Sequence, residues 1–308
     1  MRIATVLLMY SLLLACHAQP VERQSYTTLE WTEGPAPQND YQYNIALTAG
    51  DLVYVTGGNR QGSLEVFDPA AGTWMRLQDA PLPRYFAAGA VTGEALYLIG
   101  GLDTSQHYTA SVYRYDIASD TWTRRQDLPT RACRLAAVAF DGKIFVFGGL
   151  VGADDRNFEN SAAVHIYDPA GDEWISGASM PVARHAHAAV VVDHRILVVG
   201  GYHKGPLNTA DVYDPVRNSW SARSPMPTAR GFFGLVTLEG LVYAIAGRVP
   251  ADRGPIEQYD PEQDAWFRME PMPFVRQRFG IAVSGDKVFL IGGEGTSRSV
   301  LIGEFEKQ

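Results

Sequence analysis

Six tryptophans stand at one fixed distance from six pairs of small residues, and this spacing constrains the fold more than any other feature. Each Trp is followed 26 positions later by Gly or, once, by Ala, and a Gly comes directly after that residue. The six are Trp31, Trp74, Trp122, Trp174, Trp220 and Trp266. A unit that recurs about every 50 residues indicates a repeat array. We therefore expect one closed array, although chain length alone would favour about two domains.

The composition within each unit predicts four short strands. In the second unit these are Ala87–Thr92, rich in small residues, then Ala95–Ile99, Ser111–Tyr115 and Thr121–Arg125. Short β-rich runs separated by Gly, Asp and Pro are typical of antiparallel strands. We name them A to D, with A nearest the axis. Six such units predict an all-β chain whose residues 19–308 form a six-bladed β-propeller of four-stranded antiparallel blades.

The two ends of the array complement each other. An aromatic residue followed by an acid lies seven positions before each Trp except Trp31. A sixth pair, Phe305-Glu306, has no Trp after it. We therefore predict that an N-terminal strand around Leu29–Thr32 is the D strand of the last blade, because this closure removes the free sheet edges.

The recurring Gly-Gly, Tyr-Asp-Pro, Trp and Pro-x-x-Arg elements resemble the kelch repeat across essentially all of residues 25–308. The resemblance implies a β-propeller, in agreement with the spacing. The Gly-His and Trp-Asp pairs of the WD40 family do not recur. Two departures stand out, since Ala246 replaces the first Gly of the fifth pair and the first Pro-x-x-Arg element is degenerate.

The N-terminus has the pattern of an export signal. Arg2 supplies a short positive region, Ile3–Ala15 is apolar, and Cys16 and Ala18 place small residues at the positions that determine cleavage. We expect residues 1–18 to be a signal peptide and the mature protein to be periplasmic or extracellular. The apolar run is too short for a membrane-spanning helix.

A second interpretation of the same segment stays open. The sequence Leu13-Leu14-Ala15-Cys16 resembles a bacterial lipoprotein box, and this resemblance would imply a lipid anchor on Cys16.

The overall charge argues against one class of partner. The net charge is -8, from 34 acidic and 26 basic residues. Because contacts with phosphates need a basic surface, we expect no nucleic-acid binding. No cofactor and no metal are predicted either, because His185 and His187 have no evident third ligand.

One end of the propeller is the expected binding face. The B–C loops and the D–A connections share this end, and the B–C loops vary greatly in length, as binding loops on a rigid scaffold do. An Arg follows each of five Trp by nine or ten residues, where an innermost strand begins: Arg84, Arg131, Arg184, Arg230 and Arg276. By register the sixth position is Tyr41. Two interpretations stay open: a guanidinium ring that binds an anionic ligand, or arginines that pair with nearby acids and carbonyls to tie the blades together.

The residues that follow the small-residue pairs are expected beside that ring. They differ from blade to blade: Asn59, Leu102, Leu150, Tyr202, Arg248 and Glu294. Asn59, Tyr202, Arg248 and Glu294 complete the predicted ligand-binding set. Arg248 and Glu294 fall on adjacent blades, where they are expected to form a salt bridge or, alternatively, a catalytic acid/base pair.

These features predict an exported, monomeric binding module that recognises an anionic or polar partner (a protein, an acidic peptide or a glycan) through the B–C and D–A face. The sequence shows no nucleophile paired with a general base, so no catalytic residue is assigned. Some exported kelch proteins resemble a sialic-acid mutarotase, which implies an alternative function as a sugar-acting mutarotase or epimerase. A structural array for self-association is a third hypothesis.

Overall fold

The computed structural model describes residues 28–250 and 252–305, and every helix or strand in these ranges is a β-strand. The predicted signal at residues 1–18, including Cys16, lies outside them. No helix in the described ranges has the length and apolarity needed to cross a membrane.

The strands of the first two blades follow the chain in order. The first strand, β1, spans Leu29–Gly34. Blade I consists of β2 (Ile45–Ala49), β3 (Leu52–Thr56), β4 (Leu64–Asp68) and β5 (Thr73–Arg76). Blade II consists of β6 (Ala88–Thr92), β7 (Ala95–Ile99), β8 (Val112–Asp116) and β9 (Thr121–Arg125).

The third unit contains more strands than the others. They are β10 (Ala132–Cys133), β11 (Ala136–Phe140), β12 (Lys143–Phe147), β13 (Leu150–Asp154), β14 (Asn157–Asn160), β15 (Val164–Asp168) and β16 (Glu173–Gly177). Blade III is the sheet β11-β12-β15-β16, whereas β10, β13 and β14 form a separate three-stranded sheet. The longest B–C loop is therefore a β-hairpin.

The remaining blades return to four strands each. Blade IV consists of β17 (Ala188–Val192), β18 (Arg195–Val199), β19 (Ala210–Asp214) and β20 (Ser219–Arg223). Blade V consists of β21 (Gly234–Leu238), β22 (Leu241–Ile245), β23 (Ile256–Asp260) and β24 (Ala265–Arg268). Blade VI begins with β25 (Gly280–Ser284), β26 (Lys287–Ile291) and β27 (Val300–Phe305).

Blade VI is completed by the N-terminal strand, as the sequence predicts. Strand β1 pairs antiparallel with β27, with Leu29 opposite Phe305 and Trp31 opposite Gly303. The innermost strands also form a cycle, in which each contacts the next and β25 contacts β2. The predicted all-β, six-bladed propeller is confirmed.

Burial explains why each layer has its own composition. The B strand β7 is buried along its whole length because neighbouring blades cover both its faces, so its side chains are aliphatic apart from Tyr97. The side chains of the A strands are mostly small because these six strands lie close together around the axis. A Cβ added to Gly234 would lie 2.4 Å from Ile281 Cδ1 of the next blade.

The tryptophans join neighbouring blades. Trp122 packs against Tyr115 of its own blade, with ring centroids 5.1 Å apart, and its indole Nε1 donates to the carbonyl of Gln78 from the preceding blade at 2.8 Å. The same bond to the preceding connection is made by Trp74, Trp174, Trp220 and Trp266. An aliphatic side chain at this position would fill part of the same space but could not make this hydrogen bond.

The second Gly of each small-residue pair lies where two segments meet closely. Gly201 has a φ of +92°, and a Cβ there would stand 2.6 Å from the carbonyl oxygen of His185. We expect Gly201→Ala to lower the free energy of unfolding by at least about 2 kcal/mol, since left-handed strain and a backbone clash act together. Urea denaturation checks this. Gly205→Ala is the matched control because a Cβ at that position meets no atom within 4 Å. Equal stability of the two variants would contradict the prediction.

Candidate functional site

Four of the five predicted arginines are buried within the blades. Arg84, Arg184, Arg230 and Arg276 are exposed by 2%, 0%, 0% and 3%. Arg184 Nη2 lies 2.6 Å from Asp211 Oδ2, and Arg230 Nη1 lies 2.5 Å from Glu257 Oε2. Arg84 and Arg276 donate to the hydroxyls of Ser111 and Ser299. Each partner belongs to the C strand of the same blade or to the loop just before it, so these side chains bind their own blade.

The backbone of the same position holds the preceding blade. The carbonyl of Arg184 accepts from Gly149 N–H at 2.9 Å, and that of Arg230 accepts from Gly201 N–H at 2.8 Å. Each such bond runs from the second Gly of one blade to the start of the next. The side chains thus pair with nearby acids and hydroxyls, but inside one blade, and the backbone carbonyls rather than the guanidinium groups join neighbouring blades. Because the side chains are buried, a ligand on the surface does not reach their guanidinium groups.

Tyr41 occupies this position in blade I, as the register predicts. Its carbonyl accepts from Gly293 N–H at 3.0 Å, and its hydroxyl donates to Glu65 Oε1 at 3.2 Å. Burial and the neighbouring Glu65 raise the pKa of the Tyr41 hydroxyl well above its ordinary value. Tyr41 is fully buried, so it too is a scaffold residue.

Arg131 does not belong to this set, and its predicted place in the ring is corrected. It follows Trp122 by nine residues, whereas the other members follow their Trp by ten. Ala132 occupies the equivalent position, because its carbonyl accepts from Gly101 N–H at 2.8 Å. The side chain of Arg131 is exposed instead.

A different set of residues surrounds the axis, two positions beyond the buried set. Each member follows its Trp by 12 residues: Tyr43, Phe86, Arg134, Ala186, Phe232 and Arg278. We call this set the axial ring. The N–H of each member donates to the carbonyl of the preceding member, with N···O distances of 2.9 to 3.3 Å, and Tyr43 N–H donates to Arg278 O. Six backbone hydrogen bonds therefore close a circle around the axis.

The axial ring demands an unusual backbone conformation. All six members have a φ between 52° and 60°, and none is Gly. A left-handed conformation costs such residues roughly 1–3 kcal/mol each and tends to occur where the surrounding structure enforces it. The ring enforces it here, because only this conformation directs the N–H of each residue to one neighbour and its carbonyl to the other.

The side chains of the axial ring meet across the axis of the propeller. Phe86 and Phe232 belong to opposite blades, and their ring centroids lie 6.0 Å apart across the axis. Tyr43 packs on Phe86 at 4.3 Å. A cavity of about 120 Å³ lies among the axial-ring side chains. The three aromatic rings form an apolar floor.

Two arginines lie on opposite sides of this floor. The guanidinium of Arg134 stacks 4.8 Å from the centroid of Phe86, and that of Arg278 lies 5.1 Å from Tyr43 and 5.0 Å from Phe232. Each is 19% exposed and contacts an acid of a B–C loop, Asp155 at 3.1 Å for Arg134 and Glu294 at 3.0 Å for Arg278.

The predicted salt bridge between Arg248 and Glu294 is absent. Glu294 accepts instead from Arg278 and, at 2.7 Å, from Gln277 Nε2. Both donors belong to blade VI, like Glu294, and lie in the segment whose backbone bonds Glu294 N–H. The Arg248 side chain is exposed at the same end of the propeller. No catalytic pair is formed by Arg248 and Glu294.

Tyr202 lies beside the axial ring, as expected. Its ring stacks on His185 with centroids 5.7 Å apart and contacts Phe232 at 5.9 Å. The Nδ1 of His185 lies 2.7 Å from Asn160 Oδ1. Burial and the nearby Arg134 lower the pKa of His185 to about 4, so this imidazole is neutral near pH 7.

Asn59 fixes the conformation of its own loop. Its Oδ1 accepts from the N–H groups of Gln61, Gly62 and Ser63 at 3.2, 2.8 and 3.1 Å. The equivalent residues of blades II and III, Leu102 and Leu150, are buried in an apolar cluster with Cys133.

The two histidines of the His185-Ala186-His187 segment do not converge on a metal site. His187 is buried and lines the cavity among the axial-ring side chains, whereas His185 stacks on Tyr202. Within the part of the chain that the structure describes, no three His, Cys, Asp or Glu side chains lie close enough to hold a metal ion.

The axial ring is the part of the site that the sequence interpretation missed. The sequence does contain a signal for the axial ring, because each of its members follows a Trp by 12 residues. The residue types at this position vary, however, and a search for recurring residues selects the Arg two positions earlier.

The buried and exposed arginines differ in their expected contribution to stability. We expect Arg230→Met to lower the free energy of unfolding by about 3–5 kcal/mol, because it leaves the carboxylate of Glu257 buried and unpaired. Arg131→Met should leave the stability unchanged because Arg131 is exposed. Denaturant unfolding of both proteins checks this, and a marginal effect of Arg230→Met would show that Glu257 can be rehydrated.

His185 should make stability depend on pH. Its pKa is about 4 in the folded protein and about 6.5 in an unfolded chain. The unfolded state therefore binds the proton first, and stability should fall as pH decreases from about 6.5 towards 4. Thermal melts of His185→Gln should show a smaller loss over this range than those of the wild type. His187, whose pKa burial also lowers, contributes a further loss in both proteins. Identical pH profiles would contradict the role of His185.

Comparison with known proteins places the chain in a family. The family described as the KLHDC2/KLHL20/DRC7 Kelch-repeats domain matches residues 43–247 and 126–293, which together cover most of the chain. Kelch-like protein 23 of Mus musculus is 30% identical over 186 residues, covering 56% of this chain and 30% of the relative.

Other relatives give the same picture. Kelch-like protein 15 of Danio rerio is 25% identical over 196 residues, covering 56% of this chain and 32% of the relative. Kelch-like protein terF of Aspergillus terreus is 28% identical over 187 residues, covering 57% of this chain and 40% of the relative. The matches thus span well under half of these relatives. With the closed ring of six blades and the family match, the chain belongs to the kelch-repeat family.

Proposed function

We propose that this chain is a non-enzymatic protein-binding propeller that recognises an acidic segment of its partner at the axial ring. The observation that carries the proposal is the pair of partly exposed guanidinium groups, Arg134 and Arg278, on opposite sides of an aromatic floor. The relatives include Kelch-like protein 23 of Mus musculus and Kelch-like protein 15 of Danio rerio.

The two arginines keep donors for a ligand. In the described ranges Arg134 donates to Asp155 through Nη2 and Arg278 donates to Glu294 through Nη1, so the other terminal nitrogen of each guanidinium is left for a ligand. A guanidinium stacked on an aromatic face keeps its N–H groups at the edge, where they match the fork of a carboxylate.

The acids that now contact these arginines can be displaced. Asp155 and Glu294 are 45% and 43% exposed and lie in B–C loops. Exposed ion pairs contribute little stability, so exchange of a loop acid for a partner carboxylate costs little. The exposed Arg248 adds positive charge nearby.

The aromatic floor determines what should accompany the acids. Tyr43, Phe86 and Phe232 are partly buried and form one apolar surface between the arginines. An apolar side chain between two acidic residues would cover this surface while each acid meets one guanidinium. Such a central aromatic anchor with charged groups around it is the usual arrangement of binding hot spots.

The cellular context stays a proposal. We propose that residues 1–18 direct export to the periplasm or the exterior and that the mature protein acts as a monomer, with lipidation of Cys16 as the alternative. The hypothesis of a sugar-acting enzyme stays a prediction that no contact in the structure favours.

Substitution of the two arginines tests the proposed site. The probe is a fluorescent hexapeptide of alternating Glu and Leu, with a Gln-Leu hexapeptide as the uncharged comparison. We expect the Arg134→Ala, Arg278→Ala double variant to bind the acidic probe at least about tenfold more weakly, since each charge-assisted hydrogen bond contributes about 1.5–3 kcal/mol. Fluorescence anisotropy measures both affinities.

Arg131→Ala is the matched control, because Arg131 is exposed on a D–A connection yet lies outside the axial ring. It should bind the probe as the wild type does, and added salt should weaken binding to both. Equal affinity of the double variant and the wild type for the acidic probe would contradict the proposal.

A further inference from the structure

A second cavity lies between blades I and II, at the end of the propeller opposite the axial ring. The A–B and C–D turns of both blades surround it, and we call it the interblade pocket. It is lined among others by Asp51, Leu52, Tyr54, Asp68, Glu94 and Ile117. Its volume of about 620 Å³ lies within the range of small-molecule sites.

The charged residues of this lining all carry the same sign. They are Asp51, Asp68 and Glu94, and no Lys, Arg or His lines the pocket. Within the described ranges none of the three carboxylates forms an ion pair. Charges of one sign around an apolar cleft raise the local concentration of ions of the opposite sign. The pocket therefore favours a cationic ligand.

Comparison between blades shows what Asp68 lacks. Asp168 occupies the same position in blade III, six residues before the Trp. Lys143, which begins the neighbouring strand β12, places its Nζ 2.5 Å from Asp168 Oδ2. Blade IV has the same pairing of acid and base. In blade I the neighbouring strand begins with Leu52 instead, so a cation in the pocket would take the place of the missing base.

A buried hydroxyl without a partner also lines the pocket. Tyr54 is 5% exposed and packs in the apolar cluster between blades I and II. Among the residues that the structure describes, its hydroxyl has no hydrogen-bond partner, and this oxygen is not completely covered. Burial raises the pKa of the Tyr54 hydroxyl. The group therefore stays protonated near pH 7 and keeps a lone pair for an N–H donor of the ligand.

The remaining lining is apolar and indicates the size of the ligand. Leu52 and Ile117 belong to neighbouring blades, and both are partly buried members of the same cluster as Tyr54. An apolar stem would cover these side chains and be stabilised by its removal from water. A bare metal ion would gain nothing from them, and in the described ranges the acids do not converge closely enough to hold one. An organic cation fits this lining best.

We propose that the interblade pocket binds a small organic amine, whose ammonium group pairs with Asp68 and whose apolar stem packs between Leu52 and Ile117. The exposed Asp51 and Glu94 attract the cation to the site. The pocket lies at the other end of the propeller from the axial ring and does not depend on the function proposed there. No covalent bond is made or broken, because the site is a binding site only.

The test uses the whole protein and follows the backbone amide resonances of Gly50, Gly93 and Ala118, which line the pocket, in two-dimensional NMR spectra. Phenethylamine is added up to about 10 mM, so that binding with millimolar affinity is detected. Phenethyl alcohol has the same stem without the charge, and methylamine has the charge without the stem. We expect phenethylamine to shift these resonances and to bind at least about tenfold more tightly than either matched probe.

Asp68→Asn removes the charge and keeps the turn. Asp68 Oδ1 accepts from the N–H groups of Ala70 and Ala71 at 2.9 and 3.1 Å, and an Asn side-chain oxygen can do the same. The variant should therefore fold normally and bind phenethylamine at least about tenfold more weakly. Asp214→Asn is the matched control, because it changes the equivalent acid of the equivalent turn in blade IV. It should bind as the wild type does.

Leu52→Lys tests the comparison between blades. It restores the base that blade III has at this position, so the added ammonium should pair with Asp68 and exclude the ligand. Phenethylamine binding should fall by at least about tenfold. Resonances of residues remote from the pocket should stay where they are in the wild type.

Four outcomes would overturn the proposal. They are no shift of the three resonances by phenethylamine, equal affinity of Asp68→Asn and the wild type for it, equal affinity of the wild type for phenethylamine and phenethyl alcohol, or tighter binding of the peptide acetyl-Leu-Lys-Leu amide than of phenethylamine. The last result would make the pocket a docking site for a basic segment of a partner. Loss of acidic-peptide binding in the variants of Arg134 and Arg278 does not bear on any of them.

Discussion

The circle of six backbone hydrogen bonds in the axial ring is the constraint on which the rest of the propeller depends. Each bond joins a residue of one blade to its counterpart in the next, and the sixth returns to the first. The backbone groups nearest the axis have no sheet partner there, so the circle satisfies groups that would otherwise be unpaired. Because each residue must direct its N–H one way and its carbonyl the other, the circle also imposes the left-handed conformation on residues that disfavour it.

Further contacts between blades lie outside this circle. At the next level, the carbonyls of Arg84, Ala132, Arg184, Arg230, Arg276 and Tyr41 accept from the Gly of the preceding blade. At the periphery, an indole such as that of Trp122 donates to the preceding connection. Contacts at three distances from the axis hold the blades together, and none of them uses the side chains of the axial ring. These side chains can therefore differ from blade to blade, which is what recognition requires.

The sequence predicts the fold well and the site poorly, for one physical reason. Scaffold positions repeat because each blade solves the same packing problem, so spacing alone predicts six blades, the β1–β27 closure and the place of Tyr41. Arg131 shows how precise the spacing must be. It stands one residue closer to its Trp than the buried arginines do, and its side chain is therefore exposed. The partners of Glu294 and Asn59 depend on the paths of irregular loops, for which the repeat holds no information. Arg134 and Arg278 escape notice because the residues at their position differ from blade to blade, so no repeat marks them.

The pairing of β1 with β27 affects the order in which the molecule is built. Leu29 faces Phe305, so blade VI cannot be completed until Phe305 has been synthesised. Until then β1 has no strand to pair with. Contacts between residues so distant in sequence form slowly. A chain that completes its last blade with its first strand therefore keeps the two ends of the sheet array apart until β27 has been made.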